Sequence, residues 1–423
     1  MFLLVSSGDF FGTYGGGQIY VRNLADEYIR QGEEFAVISC SPAFPLQPER
    51  QDYKGISVYQ IHPRGNIKSL LGELNPGIVH INGEKSLFAR LCKELGFTSI
   101  VTAHHGGILC PEGAMLNTQD EICHIKANYN DCLHCYLRNI PTGLFWYPLL
   151  RHYIQNHYCK IGTWLRKRRF IPFLSPIGEA GLSVTEKLKA WQQLTEDTDM
   201  FVAPSNAMAE ALIRNGLPKS KITVVPHGIP LPQEAVQHTV PYPSIHFYYA
   251  GRISYVKGIH ILLEAFHRAT CHWQTDSPNS QIPTLHLIGG ADTKSERRYQ
   301  KHLQRKYRKD CNIIWHGKIP ADHVFNETKE YAVMLHSAIF LESFGLNIAE
   351  ALSQGHWVIA TRCGGAEMQI QEGVNGTLVL PNDIFAFQTA IENYLQHPQM
   401  SSSTSVVSIT THVHTLLNLY HSL

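Results

Sequence analysis

Two glutamates in the stretch LESFGLNIAEAL, Glu342 and Glu350, bracket a Phe344-Gly345 step. Ile348, Ala349 and Leu352 have the spacing of a short helix's apolar stripe, so Glu342 precedes the first turn and Glu350 lies beyond it. Gly345 falls at the helix start, where free N–H groups and roughly half a positive charge face outward. That terminus suits a departing diphosphate, Glu350 suits ribose hydroxyls, and Glu342 suits the hydroxyls of a sugar. Spacing alone favours the plainer alternative of two surface glutamates flanking an amphipathic helix.

A second stretch, AGRISYVKGIHILLEAF, reads as strand, glycine turn and helix, with Arg252 and Lys257 on the connection. Arginine chelates phosphate oxygens and lysine acts as a point charge, so the pair could close on a diphosphate. As an isolated pair they are more simply solvated loop cations. The third glycine element is GGGQ, Gly15 to Gly17 and Gln18, after the first strand and opening the first helix. Glycine there lets a backbone approach a ligand, although the G-x-G-x-x-G dinucleotide spacing is absent and a plain tight turn fits equally well.

Cys110, Cys123, Cys132 and Cys135 follow the pattern C-x12-C-x8-C-x2-C, with His104, His105, His124 and His134 nearby. Four thiolates ending in C-x2-C could hold a structural, tetrahedral zinc; buried thiols or a redox-labile pair are the alternative. The stretch FWYPLLRHYIQNHYCKIGTWLRKRRFIPFL mixes aromatics with Arg151, Lys160, Arg166, Lys167, Arg168 and Arg169. It suits either an anionic membrane surface or a solvated basic patch.

The elements that must position these residues are legible in the pattern. The chain has 423 residues, 44% hydrophobic and 17% charged, which calls for two or three soluble domains. A formal net charge of +1 gives no reason to expect nucleic acid. MFLLVSSGDF lacks the features of a secretory signal and no apolar run reaches membrane-spanning length. The expectation is a cytoplasmic protein, at most peripheral on the inner face of the membrane, with its cysteines reduced. FLLVSS, EFAVISC, ISVYQIH, GIVHING and TSIVTAHH alternate with helical stretches over the first 105 residues, and MFVAPS and NAMAEALIRNG restore the rhythm later. The segment ITVVPHGIPLPQEAVQHTVPYPS is proline-rich and turn-like, and 228–243 is the expected linker. A second alternating half follows, from IHFYYAG to HWVIAT. The fold class is therefore α/β, two Rossmann-like domains facing a cleft where ligands bind beyond the strand ends. The expected boundaries are 1–235 with a Cys/His-rich insert at 106–180, then 243–400, then a final helix at 406–423 packing back on the first domain.

Taken together, GGGQIYVRNLADEYIRQG, VAPSNAMAEALIRNGLPKSKITVVPHGI, GRISYVKGIHILLEAF and ESFGLNIAEALSQGHWVIATRCGG resemble the retaining glycosyltransferases of family four, which have the GT-B fold. The resemblance covers nearly the whole chain except 106–180. It implies that Arg252 and Lys257 contact the diphosphate of a UDP- or GDP-sugar donor. Glu342 and Glu350 match the two acids of the family's E-x7-E motif, near the transferred sugar and the ribose respectively. Phe344, Gly345 and Leu346 match residues whose amides approach the diphosphate and sugar; Gly16 and Gly17 match the N-terminal donor loop. His104 matches a histidine close to the reacting sugar. The implied reaction transfers a hexosyl unit, with retention and without a cofactor, to a glycan or lipid-linked acceptor in surface polysaccharide or glycolipid synthesis. Consistent with that, no D-x-D metal motif lies near the donor elements.

This chain departs from the family at four places. Gln18 replaces a frequent Glu, His105 takes a common Asp position, and His336 stands where relatives tend to have Pro. Met368 aligns with a usual acid, which leaves Glu367 displaced by one. A sugar-nucleotide isomerase or epimerase, or a nucleotide-binding pseudoenzyme, would use the same architecture without an acceptor. The first would need an acid/base set that no motif supplies, and the intact Arg252, Lys257, Glu342 and Glu350 set argues against the second.

Overall fold

The computed structural model describes residues 1–12, 16–138, 175–231, 245–328, 331, 333–399, 401 and 406–423. Alternating strands and helices build two sheets. The first contains β1 (Phe2–Ser7), β2 (Phe35–Cys40), β3 (Glu49–Tyr53), β4 (Ile56–Ile61), β5 (Ile78–Ile81), β6 (Thr98–Thr102), β7 (Met200–Ala203) and β8 (Ile222–Val224). Their order is β3-β4-β2-β1-β5-β6-β7-β8. All neighbours are parallel except the β3–β4 hairpin. Along β1 the side chains alternate between two cores: Leu3 and Val5 join one, Phe2 and Leu4 the other. Burial on both faces is what a parallel sheet sandwiched by helices requires.

The second sheet holds β9 (His246–Ala250), β10 (Thr284–Ile288), β11 (Ile313–Gly317), β12 (Val333–His336), β13 (Trp357–Thr361) and β14 (Gly376–Val379). Its order is β11-β10-β9-β12-β13-β14, parallel throughout. Phe247 and Tyr249 face one core, Tyr248 and Ala250 the other. In each sheet the order of the parallel strands reverses once, at β1/β5 and at β9/β12, leaving a crevice beyond the carboxyl ends for a ligand.

The chain passes between the sheets twice. Ile229 and Ser408 form a parallel bridge, with Ile229 N donating to Val407 O (3.1 Å) and Ile409 N to Ile229 O (2.8 Å). Beyond that bridge the helix Ile409–His421 lies on the first domain, with Val413 and Leu416 buried beside Leu24 and Tyr28 of the helix Gly16–Gln31. Among the described residues, no helix is long and apolar enough to cross a membrane.

Three elements differ from the sequence reading. Ile222–Val224, taken with its proline-rich surroundings as turn-like, forms the edge strand β8. The strand β3, ERQDY, is almost wholly exposed and has no apolar signal; it pairs through a turn at Lys54 and Gly55, both at positive φ. The described part of the insert contains a 3-10 turn at Gly106–Ile108, a Leu116–Ile122 bridge and a helix Tyr129–Arg138. The linker's 232–243 and the basic aromatic stretch at 145–174 lie outside the described residues.

Candidate active site in the interdomain cleft

The loops after β1, β6, β8, β9, β10, β11 and β12 meet around a cleft of about 430 Å³. Its lining includes every residue singled out for the donor: Gly16, Gly17, His104, Arg252, Lys257, Glu342, Phe344, Gly345, Leu346 and Glu350. Gly15 lies outside the described residues.

The turn carrying the two cations is fixed from beneath. Tyr249 Oη donates to Arg252 O (2.8 Å), and Ser337 Oγ donates to Lys257 O (2.9 Å). Gly258 closes the turn at φ +67, and a Cβ there would stand 1.9 Å from Ser337 O, so only glycine fits. Arg252 is half-exposed and its Nε lies 3.5 Å from Glu296 Oε1. Lys257 donates to Glu342 Oε2 in a pair of which only 17% and 12% of the side chains are exposed, with the Phe340 ring 5.0 Å from Nζ.

Burial alone would push the Glu342 carboxyl up. The Lys257 charge, with help from His336, reverses this and holds it well below the carboxylate range. The fully buried His336 Nε2 lies 3.6 Å from Glu342 Oε2, and burial holds the imidazole below its ordinary value. This chain thus places a polar ring behind the acid.

Gly345, at φ +85, precedes the helix Leu346–Ser353 with no side-chain cap, so the first amides are left for a ligand. Ile348, Ala349 and Leu352 are fully buried, which sets the helix's orientation, and Asn347 Nδ2 anchors it by donating to Ala250 O (2.9 Å). Glu350 reaches the cleft side of this helix. The surrounding protein pushes its carboxyl up to about 7, a push that water in the open cleft softens.

Across the cleft His104 Nε2 is 2.8 Å from Asn82 Oδ1, and burial keeps the imidazole well below its ordinary pKa, hence neutral. Its carbonyl accepts from Ser343 Oγ, a direct tie between the domains. His105 instead turns back, its Nδ1 accepting from Gly107 N (3.0 Å). Gln18 folds under the first loop, where a Cβ on Gly8 would strike its Nε2. Glu367 caps its own helix by accepting from Gly364 N (2.9 Å), while Met368 is exposed with Sδ 3.2 Å from Asn206 N.

Several lining residues had no signal in the sequence reading. Tyr20, His227, Asp292, Lys318 and Asn347 share the cleft. Tyr20 packs on His104 and His227, with ring centroids 4.9 and 4.2 Å away, and its hydroxyl is hydrogen-bonded to His412 Nε2 (2.8 Å). Lys318 pairs with Asp292, adding a third cation to the cleft wall. A second chamber of about 560 Å³ continues past Glu350 toward Arg22 and Gln354.

The carboxylates of the D-x-D at Asp197–Asp199 are engaged elsewhere. Asp197 pairs with Lys93 (2.9 Å) and Asp199 accepts from Ser99 N (2.8 Å) at the amino end of β6, opposite the cleft. Cys110, Cys123, Cys132 and Cys135 are each partly buried. Burial pushes Cys132 up to about 12, the charges of the other three adding to the rise. Among the described residues no three Cys, His, Asp or Glu side chains converge on a metal-holding arrangement.

Comparison with known proteins agrees with this geometry. Residues 233–405 match the model of "Glycosyl transferases group 1", and 178–233 that of "Glycosyltransferase Family 4". The chain is 28% identical over 208 residues to a lipopolysaccharide 1,6-galactosyltransferase of Escherichia coli K12, covering 47% of this chain and 52% of that one. It is 26% identical over 275 residues to D-inositol 3-phosphate glycosyltransferase 2 of Catenulispora acidiphila, covering 58% and 62%. The match thus spans little more than half the length of these curated relatives. In fold it resembles Anabaena Alr3699/HepE, solved with UDP, at TM-score 0.64 and 16% identity over all of both chains. It also resembles sucrose-phosphate synthase of Thermosynechococcus elongatus, at TM-score 0.66 and 18% identity over 100% of this chain and 98% of that one.

Proposed function

From the match of residues 233–405 to the glycosyl transferases group 1 and the GT-B fold of the whole chain, we propose a retaining transfer of a hexosyl unit from a nucleoside diphosphate sugar to a glycan or lipid-linked hydroxyl. One observation carries the reading: Arg252, Lys257 and the uncapped helix start at Gly345 converge on one cleft with Glu342 and Glu350. A UDP-bound structural neighbour and a lipopolysaccharide-directed relative support a UDP-sugar and a surface-glycan acceptor, GDP being the alternative base.

In this reading the diphosphate lies against Arg252, Lys257 and the amides beyond Gly345. The ribose meets Glu350, and the sugar lies between Glu342 and His104. The acceptor oxygen bonds to the anomeric carbon on the face from which the phosphate oxygen departs. The C–O bond to phosphate breaks with its electron pair, and the acceptor's proton passes to the departing phosphate. Negative charge grows on that phosphate, where fixed cations and oriented amides act without reorganising. His104, where burial disfavours taking on a proton, is suited to orienting hydroxyls rather than accepting the proton. Glu342, ionised and pinned by Lys257, is suited to the partial positive charge on the sugar ring. No step routes through a metal; the four cysteines do not converge on a metal-holding arrangement in this structure, and metal analysis of reduced protein tests whether they carry zinc.

The experiment is a panel of UDP-, GDP- and ADP-hexoses, read by thermal shift and by product analysis. Slow hydrolysis of one donor, with the released sugar first appearing in the donor's anomeric configuration, is expected. An epimerised nucleotide sugar would indicate an isomerase. Tight nucleotide binding without turnover would indicate a pseudoenzyme.

A further inference from the structure

The cysteine-bearing insert crosses the cleft. Residues 114–123 leave the first domain as a hairpin, closed by the Leu116–Ile122 bridge and by Cys123 N donating to Met115 O (2.7 Å). Its tip is stiffened by Asn117, whose Oδ1 accepts from the amides of Gln119 and Glu121, both at 2.9 Å. Asp120 takes φ +62, a left-handed conformation that Asp and Asn tolerate better than most residues.

The tip docks on the second domain. Leu116, only 5% exposed, is buried against Ile261 and Ile339, with Val256 and Phe340 at the rim. Asp120 Oδ2 accepts from Tyr255 Oη (2.9 Å), and Asp120 O accepts from Asn382 Nδ2. These contacts bracket one side chain. Tyr255 and Val256 are the first two residues of the turn that ends in Lys257, and Phe340 supplies the ring beneath the Lys257 ammonium.

We propose that the hairpin is an interdomain latch, with Leu116 and Asp120 acting as positioning residues that seat Lys257 for a nucleoside diphosphate. The inference rests on the donor reading of the cleft and adds a coupling to it. The latch reaches the Lys257 turn only when the domains are together, so docking strengthens diphosphate binding. By linkage, diphosphate binding must strengthen docking equally. The insert's role is thus to make closure and donor capture one event.

The test is calorimetric titration of the whole chain with UDP and GDP against UMP and GMP. Asp120→Ala removes one hydrogen bond and should weaken the preferred diphosphate by roughly threefold to tenfold. It should leave the monophosphate within about twofold, the margin of an untouched site. Asp120→Asn keeps an acceptor and the left-handed backbone, and should restore binding. Leu116→Ala should exceed the Asp120→Ala effect. In the unaltered protein, hydrogen exchange of 114–123 should slow when the diphosphate binds. If both alanine variants bind diphosphate like the parent, or the hairpin's exchange ignores the ligand, the latch is overturned while the donor reading stands. If the parent itself does not prefer a diphosphate to its monophosphate, the donor reading fails and takes the latch with it.

Discussion

Replacing Lys257 with Ala separates two roles of one ammonium by their pH dependence. The change strands Glu342, 12% exposed, with His336 3.6 Å away and held neutral by burial. Breaking a buried pair from one side costs about 3 kcal/mol. For a domain of this size that lowers Tm by about 6–12 °C. In the parent the Glu342 carboxyl sits below its ordinary 4.5, so the pair stabilises the fold fully above that value. The contribution disappears as pH falls through the lower folded value. In the variant, only His336 is left to oppose burial, and the folded value should rise above 4.5. Its penalty is then absent in acid and grows as pH rises through the raised value. Scanning calorimetry should show a small Tm gap at acid pH and the full gap in mild base. Lys257→Ala/Glu342→Gln should close most of the gap. Turnover should fall about 100- to 1,000-fold in both variants, the scale of losing a charge-stabilising donor. An equal Tm loss in acid and base would refute the electrostatic account, and near-parent turnover in the single variant would refute the diphosphate role.

Three further outcomes follow from the geometry. The surrounding protein raises the Glu350 carboxyl toward about 7 although the residue is exposed to the cleft; because the ionised form accepts from ribose, UDP affinity should rise more steeply with pH in the parent than in Glu350→Gln, whose remaining rise is the diphosphate's own ionisation at about pH 6, as measured by calorimetry. Gly258→Ala drives a Cβ to within 1.9 Å of Ser337 O at positive φ; a loss of about 3 kcal/mol or more in urea unfolding is expected, and less than about 1 kcal/mol would contradict the packing. His412→Ala empties a fully buried site and breaks the bond to Tyr20; denaturant titration should show a loss of about 2–4 kcal/mol.

The readable parts of the chain were those whose signal is local. FLLVSS and EFAVISC coincide with β1 and β2 because strands buried on both faces must be continuously apolar. Gly345 was legible as a helix start because its neighbours carry the helical period. The strand β3 was not, since an exposed edge pairs through its backbone and asks little of its side chains. Lys318, Tyr20 and His227 join the cleft only through tertiary folding, and nothing in their neighbours' spacing marks them. The proline-rich composition around Ile222–Val224 masked a three-residue strand. The insert's cysteines drew notice to a metal, whereas the described contacts to the second domain are made by the hairpin they flank.

The return of the helix Ile409–His421 to the first domain has a consequence for biosynthesis. On the ribosome the second sheet is complete before this helix emerges, yet Leu24, Tyr28 and their neighbours lack their cover until it does. The later-made half can therefore mature first, while the earlier-made half waits with an apolar flank bare. A nascent chain stalled between residues 400 and 409 should accordingly bind chaperones through its beginning, not its end.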